Sequence, residues 1–283
     1  MRGLPGVIRG MARALPIFHQ YGLYPSANLG INRNTGGAAA DIPEDAEGCR
    51  QAFVQAFERF YLAVESLGFT IVNACYPMSG EPDDGAYRAA SPDDVVRFSP
   101  AQRAAVYRAL FETIPRFRHR LRIFSPRCSL RALIHQHEGD KNAGYPCPGG
   151  QDFFFIDARR GDTFPCGYRG EDNLGKFWAL DRTQPKTAAC RRCDWECFRD
   201  PAEMIGPLQD LFQRPWRLVE KIFCDREGLR LWFEDLCYYR ACDFFNGRRP
   251  PDPSRLARYS LDGAHGAGRC DVALRPSSLR RTI

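Results

Sequence analysis

Five cysteines between positions 147 and 197 constrain this chain more than any other feature. They read Cys147, thirteen residues, Gly161, four residues, Cys166, and later Cys190-Arg-Arg-Cys193-Asp-Trp-Glu-Cys197. Thiolates at this spacing let a short backbone surround one soft metal centre from several sides. The first pair has a local logic. Residues 151–157 form a short apolar run of strand type, 158–162 carry turn chemistry with Gly161 open to a positive φ, and 163–166 read as a return strand. A hairpin centred near Arg159 then brings Cys147 and Cys166 to the same end. Cys190 and Cys193 fit one tight loop, and Cys197 lies about one helical turn beyond Cys193. Asp200-Pro201-Ala202-Glu203 predicts a helix start, with Asp200 as N-cap and Pro201 at the first helical position, running to about Phe212.

The segment Cys147-Pro-Gly-Gly through Phe164-Pro-Cys166-Gly-Tyr-Arg-Gly-Glu-Asp-Asn173-Leu-Gly175, followed by Cys190-x2-Cys193, resembles the auxiliary-cluster domain of radical S-adenosylmethionine (SAM) enzymes, called SPASM or, in its shorter form, Twitch. That signature opens with Cys, nine to fifteen residues, Gly, four residues and Cys, and the spacer here is thirteen. The Asn-Leu-Gly after the second cysteine is also typical. The full SPASM pattern continues Cys-x2-Cys-x5-Cys-x3-Cys. This chain departs from it with Cys190-x2-Cys193-x3-Cys197 and no further cysteine before Cys224. The resemblance covers about residues 145–200 and implies one auxiliary 4Fe–4S cluster of Twitch type, with ligands drawn from Cys147, Cys166, Cys190, Cys193 and Cys197. Five candidates for four positions leave the role of Cys197 open. Two pairs of cysteines also suit tetrahedral zinc, since spacing alone does not distinguish the metals. The Gly-x4-Cys signature, the Asn-Leu-Gly and the upstream α/β pattern favour iron–sulfur.

Upstream, residues 52–67 place Phe53, Phe57, Phe60, Tyr61, Val64 and Leu67 on one helical face, with Gly68 as C-cap. A buried-type strand follows at 69–76. Ser99-Pro-Ala-Gln102 opens a second helix through a capping box, with Val106, Leu110, Ile114 and Phe117 on its apolar face. Strands are expected again at 121–124 and, earlier, around 29–33. Helix and strand alternate, which predicts parallel β-structure with covering helices. The fold class expected is therefore α/β, and the resemblance implies residues 1–140 as the latter part of a parallel (β/α) partial barrel of radical-SAM type and 141–212 as the cysteine-rich, SPASM/Twitch-like β-hairpin and helix unit; residues 213–283 read as a helical C-terminal extension interrupted at Pro215 and Gly228. Residues 34–47, 79–94 and 248–254 read as linkers.

Radical SAM enzymes hold their catalytic cluster with Cys-x3-Cys-x2-Cys near the start of the barrel, and no such triplet occurs here. The chain thus reads as a C-terminal half, completed by a missing segment or a partner, or as a remnant that has lost radical chemistry. S-adenosylmethionine is expected only in the completed enzyme.

Composition adds limits. A net charge of +6 (40 Lys and Arg against 34 Asp and Glu) is mild and dispersed, and Arg275, Arg280 and Arg281 read as a solvated tail. No nucleic-acid partner is expected. No run of about eighteen apolar residues marks a membrane span. Twelve cysteines without a signal-like leader point to metal ligation in a reducing, cytoplasmic compartment. Cys49, Cys75, Cys128, Cys224, Cys237 and Cys242 read as buried thiols acting as small hydrophobes. His135 and His137 read as solvated residues of a surface helix, and Trp195 as a shield over a cluster or packing beneath it.

Two functions of different class follow. In one, the chain is part of a radical SAM enzyme whose auxiliary cluster positions substrate or carries an electron. In the other, it is a non-catalytic zinc- or cluster-binding module that holds a peptide or protein substrate for another enzyme.

Overall fold

The computed structural model describes residues 6–77, 93–140, 142–151, 153–167, 172–181, 190–191 and 194–260. Cys193, most of the 79–94 linker and the Arg-rich tail with Cys270 lie outside them. The first helix, α1 (Val7–Gln20), leads into β1 (Ser26–Gly30) and a short α2 (Arg33–Gly36). Then come α3 (Ala46–Ser66), β2 (Ile71–Cys75), a short α4 (Asp93–Val96), α5 (Pro100–Thr113), β3 (Arg122–Phe124) and α6 (Arg127–His137). The three strands are parallel in the order β1-β2-β3. The α/β alternation expected from the sequence is therefore present, with β1 three residues earlier than its apolar pattern suggested.

Period-two patterning sets the two faces of this sheet. Ala27 pairs with Val72, Leu29 with Ala74, and Val72 with Ile123, and all five side chains are buried in one core. Phe53, Phe57, Tyr61 and Val64 of α3 enter the same core with Val106 and Leu110 of α5, so the predicted helical faces are the faces used. Both helix ends carry their predicted caps. Gly68 adopts φ 94°, and Phe69 N donates back to Val64 O at 3.0 Å. Ser99 Oγ accepts from Gln102 N at 3.2 Å while Gln102 Oε1 accepts from Ser99 N at 3.1 Å.

The expected barrel segment needs one correction. The strands form an open sheet, and among the described residues no barrel is built. The reason lies on the outer edge of β3. After α7 (Glu196–Gln213), α8 (Pro215–Cys224) and α9 (Arg226–Ala241) complete a helical layer, followed by a short α10 (Pro253–Leu256). Tyr238 of α9 turns its hydroxyl to the β3 edge, donating to Leu121 O at 2.6 Å and accepting from Ile123 N at 2.8 Å. A side chain thus occupies backbone groups that a further strand would need. The helical tail breaks at Pro215 as expected. Its second break falls at Asp225, which caps α9 by accepting from Gly228 N at 3.1 Å, so Gly228 belongs to the first turn.

Candidate metal centre

The hairpin is present, though its strands are shorter than the apolar runs. β4 (Phe155–Ile156) pairs antiparallel with β5 (Thr163–Phe164). Gly161 takes φ 71° in the turn, Asp157 N donates to Asp162 O at 2.8 Å, and the Asp157 side chain accepts from Arg160 N at 2.8 Å. The Asn173-Leu174-Gly175 segment runs along the other edge of β5. Leu174 N donates to Thr163 O and Thr163 N to Gly175 O, both at 2.8 Å, and Lys176 reaches Asp162 at 2.6 Å. This sequence motif therefore adds a third extended segment alongside β5, beside the second cysteine.

Three cysteine-bearing segments meet here. Cys147 forms an antiparallel bridge with Cys190, and Cys147 N donates to Cys190 O at 2.7 Å. Cys147 and Cys166 are both buried in one small apolar cluster with Trp195 and Phe198, against which Phe153 packs. Trp195 is thus buried in the same cluster as both thiols. Gly149 N lies 3.3 Å from Cys147 Sγ, the geometry of an amide donating to a sulfur. A Cβ on Gly149 would come within 2.7 Å of Pro165 O and 3.3 Å of that sulfur, so glycine is required where this turn closes on the strand leading to Cys166. Cys190 is half-buried and Cys197 is exposed in the first turn of α7. Among the described residues, no three His, Cys, Asp or Glu side chains are gathered as a ready ligand set. The described cysteines are neighbours by segment, and the fourth expected ligand, Cys193, is not among them.

These observations fit a thiolate-held metal. The donor set is soft, an amide is directed at one sulfur, and two of the thiols, Cys147 and Cys166, are buried among aromatic side chains.

The start of α7 corrects the sequence reading. Asp200 is no N-cap. The helix begins one turn earlier, after Trp195, and Pro201 lies inside it. Burial overrides the local capping signal: Trp195 and Phe198 must turn inward onto the cysteines, which winds the first turn before Asp200 is reached. Asp200 is instead buried, accepting from Ser129 Oγ at 2.5 Å and from the Tyr76 hydroxyl at 3.2 Å. Desolvation pushes its pKa well above the ordinary carboxylate value, although Ser129 and Tyr76 oppose this.

A second anchor escaped the sequence reading. Asp194, between the last two cysteines of the motif, is only 2% exposed. It makes a buried ion pair with Arg103 of α5 and accepts from the Tyr107 hydroxyl at 3.3 Å. His137 Nε2 lies 3.6 Å away, and its ring stacks on Tyr107 with centroids 5.6 Å apart. His137 is therefore packed against the cysteine loop and is not a solvated surface residue. No spacing rule announces such a contact, because Arg103 and Asp194 are ninety-one residues apart.

Other thiols divide. Cys49, Cys128 and Cys242 are buried as expected, and burial pushes Cys49 up to about 11. Cys75 is half-buried and likewise held at about 11, first by desolvation and then by Glu196. Cys224 is exposed, because α8 turns much of its apolar surface outward, and Cys237 is disulfide-bonded, so neither is a buried free thiol. No helix among the described residues is long and apolar enough to cross a membrane.

No protein-family model matches this chain, and no curated protein or solved structure matches it.

Proposed function

We propose that this chain is an iron–sulfur protein, the C-terminal portion of a radical SAM enzyme, in which Cys147, Cys166, Cys190 and Cys193 hold an auxiliary 4Fe–4S cluster with Cys197 beside them. The observation that carries the reading is the junction of Cys147 and Cys190, with Gly149 N directed at Cys147 Sγ and Cys166 in the same buried patch. When bound, such a cluster supplies one-electron transfer or an anchoring iron. The chain's own residues do the rest. Trp195, Phe198 and Phe153 exclude water, the Gly149 amide stabilises thiolate charge, and Asp194 fixes the loop against α5.

The catalytic SAM-binding triplet is absent from the sequence, so SAM cleavage is assigned to a partner or to a segment outside this chain. A zinc site is the competing reading of the same four thiolates. Electron paramagnetic resonance separates the two. Anaerobically reconstituted, dithionite-reduced protein should give the signal of a reduced 4Fe–4S cluster and, with SAM added, no 5′-deoxyadenosine. A silent sample carrying stoichiometric zinc would overturn the iron–sulfur reading, and 5′-deoxyadenosine from this chain alone would overturn the division of labour.

A further inference from the structure

A cavity of about 630 Å³ opens between α6, α7, α8, α9 and the segment 142–146. It lies beside the candidate metal centre, since Arg191, next to Cys190, forms part of its wall. Several of its charges are already engaged. Arg131 pairs with Asp225 at 2.9 Å. Glu203 accepts from Tyr145 N at 2.7 Å and pairs with Arg199 at 3.4 Å. Arg191 donates to the carbonyls of Asn142 and Gly144.

Asp140, Arg217 and Glu220 of the wall are exposed to water, which leaves two buried or half-buried charges without an ion pair among the described residues. Asp210 of α7 is only 7% exposed, lines the cavity and has no cation within salt-bridge distance among the described residues. Lys221 of α8 also lines the cavity, and its ammonium sits 3.8 Å above the centre of the Tyr145 ring. A ring face attracts a cation but offers it no hydrogen-bond acceptor. The Tyr145 hydroxyl end lies beside Asp210 and interacts with it, so one ring separates this acid from Lys221, whose ammonium also feels Glu203 and Asp225 nearby. A buried carboxylate without a cation is costly, and so is a half-buried ammonium without an acceptor. A ligand carrying both opposite charges relieves both costs at once, whereas a singly charged ligand relieves one.

We propose that this cavity binds a small zwitterion of the α-amino-acid type, its ammonium on Asp210 and its carboxylate on Lys221, across the Tyr145 ring. The proposal stands apart from the metal reading and needs no metal in the neighbouring centre.

The test uses the full chain, with iron and zinc content measured on the same sample. The twenty L-α-amino acids are screened singly by thermal shift and hits are titrated by calorimetry, alongside the decarboxylated amine and deaminated acid of each hit. At least one amino acid should bind, and each singly charged analogue should bind about tenfold more weakly or worse. Asp210→Asn should weaken the amino acid and the amine about tenfold but not the acid, and Lys221→Met should weaken the amino acid and the acid but not the amine. If Asp210→Asn does not fold, the Lys221→Met and analogue series decide alone. No binding up to about 10 mM, equal binding of a singly charged analogue, or unchanged affinity in the folded variants overturns the proposal.

Discussion

Cys147, Cys166 and Cys190 differ from the remaining thiols in company, not in chemistry. The first two share an apolar cluster with Trp195, and the third is joined to Cys147 through the backbone. Replacing any of Cys147, Cys166, Cys190 or Cys193 by Ala should abolish or sharply deplete bound iron, because each leaves an iron without its thiolate. Cys49→Ala and Cys128→Ala should retain full iron and cost packing stability on the order of 1 kcal/mol. Iron analysis of the purified variants checks this, and iron retained in any of the first four would remove that residue from the ligand set. Asp200 carries a pH signature. Burial raises its folded pKa above the ordinary unfolded value, so the folded state takes up the proton first as pH falls. Its ionised form lowers stability near neutrality, and stability is regained as pH falls through the folded pKa towards about 4. Glu203, desolvated in the same way, contributes with the same sign. Asp200→Asn, which keeps an oxygen for Ser129 and Tyr76, should flatten the rise of thermal midpoint on mild acidification. An unchanged pH slope would show that Asp200 is not the titrating group.

Among the elements, those with strong local signals were legible in the sequence. The α3 and α5 faces follow from apolar spacing, and the Ser99 capping box and the Gly161 turn follow from residue type. What sequence reading missed was set by contacts distant along the chain. The early start of α7 is dictated by Trp195 and Phe198 packing on the cysteines, which outweighs an otherwise good N-cap at Asp200. The outward face of α8 was equally hidden, because periodicity shows that a helix is amphipathic but not which side finds a partner. The docking of α9 was invisible as well, and it depends on Asp235. This fully buried carboxylate meets Arg118 at 2.6 Å and accepts from Cys128 N at 2.8 Å. Asp235→Ala leaves Arg118 buried without its counter-charge and should cost about 3–5 kcal/mol in denaturant-induced unfolding. A loss below about 1 kcal/mol would mean that α9 is held by its apolar contacts and Tyr238 alone.

At the scale of the whole molecule, the cysteine unit and the open sheet are fastened together by polar contacts that no motif records. Asp194 grips Arg103 and Tyr107, Glu196 accepts from Tyr76 N at 3.2 Å, and Asp200 meets Tyr76 and Ser129. Asp194, Glu196 and Asp200 flank Cys197 in the sequence, so the segment 194–200 that carries it is held against the end of β2 and the flanks of α5 and α6. The sequence resemblance named the candidate ligands, while this fastening shows how the start of α7 is tied to the open sheet. The central claim is that these thiolates hold an iron–sulfur cluster, and counting iron and acid-labile sulfide after anaerobic reconstitution tests it most directly. The account predicts brown protein with about four irons and four sulfides per chain; colourless protein carrying stoichiometric zinc and no sulfide would contradict it.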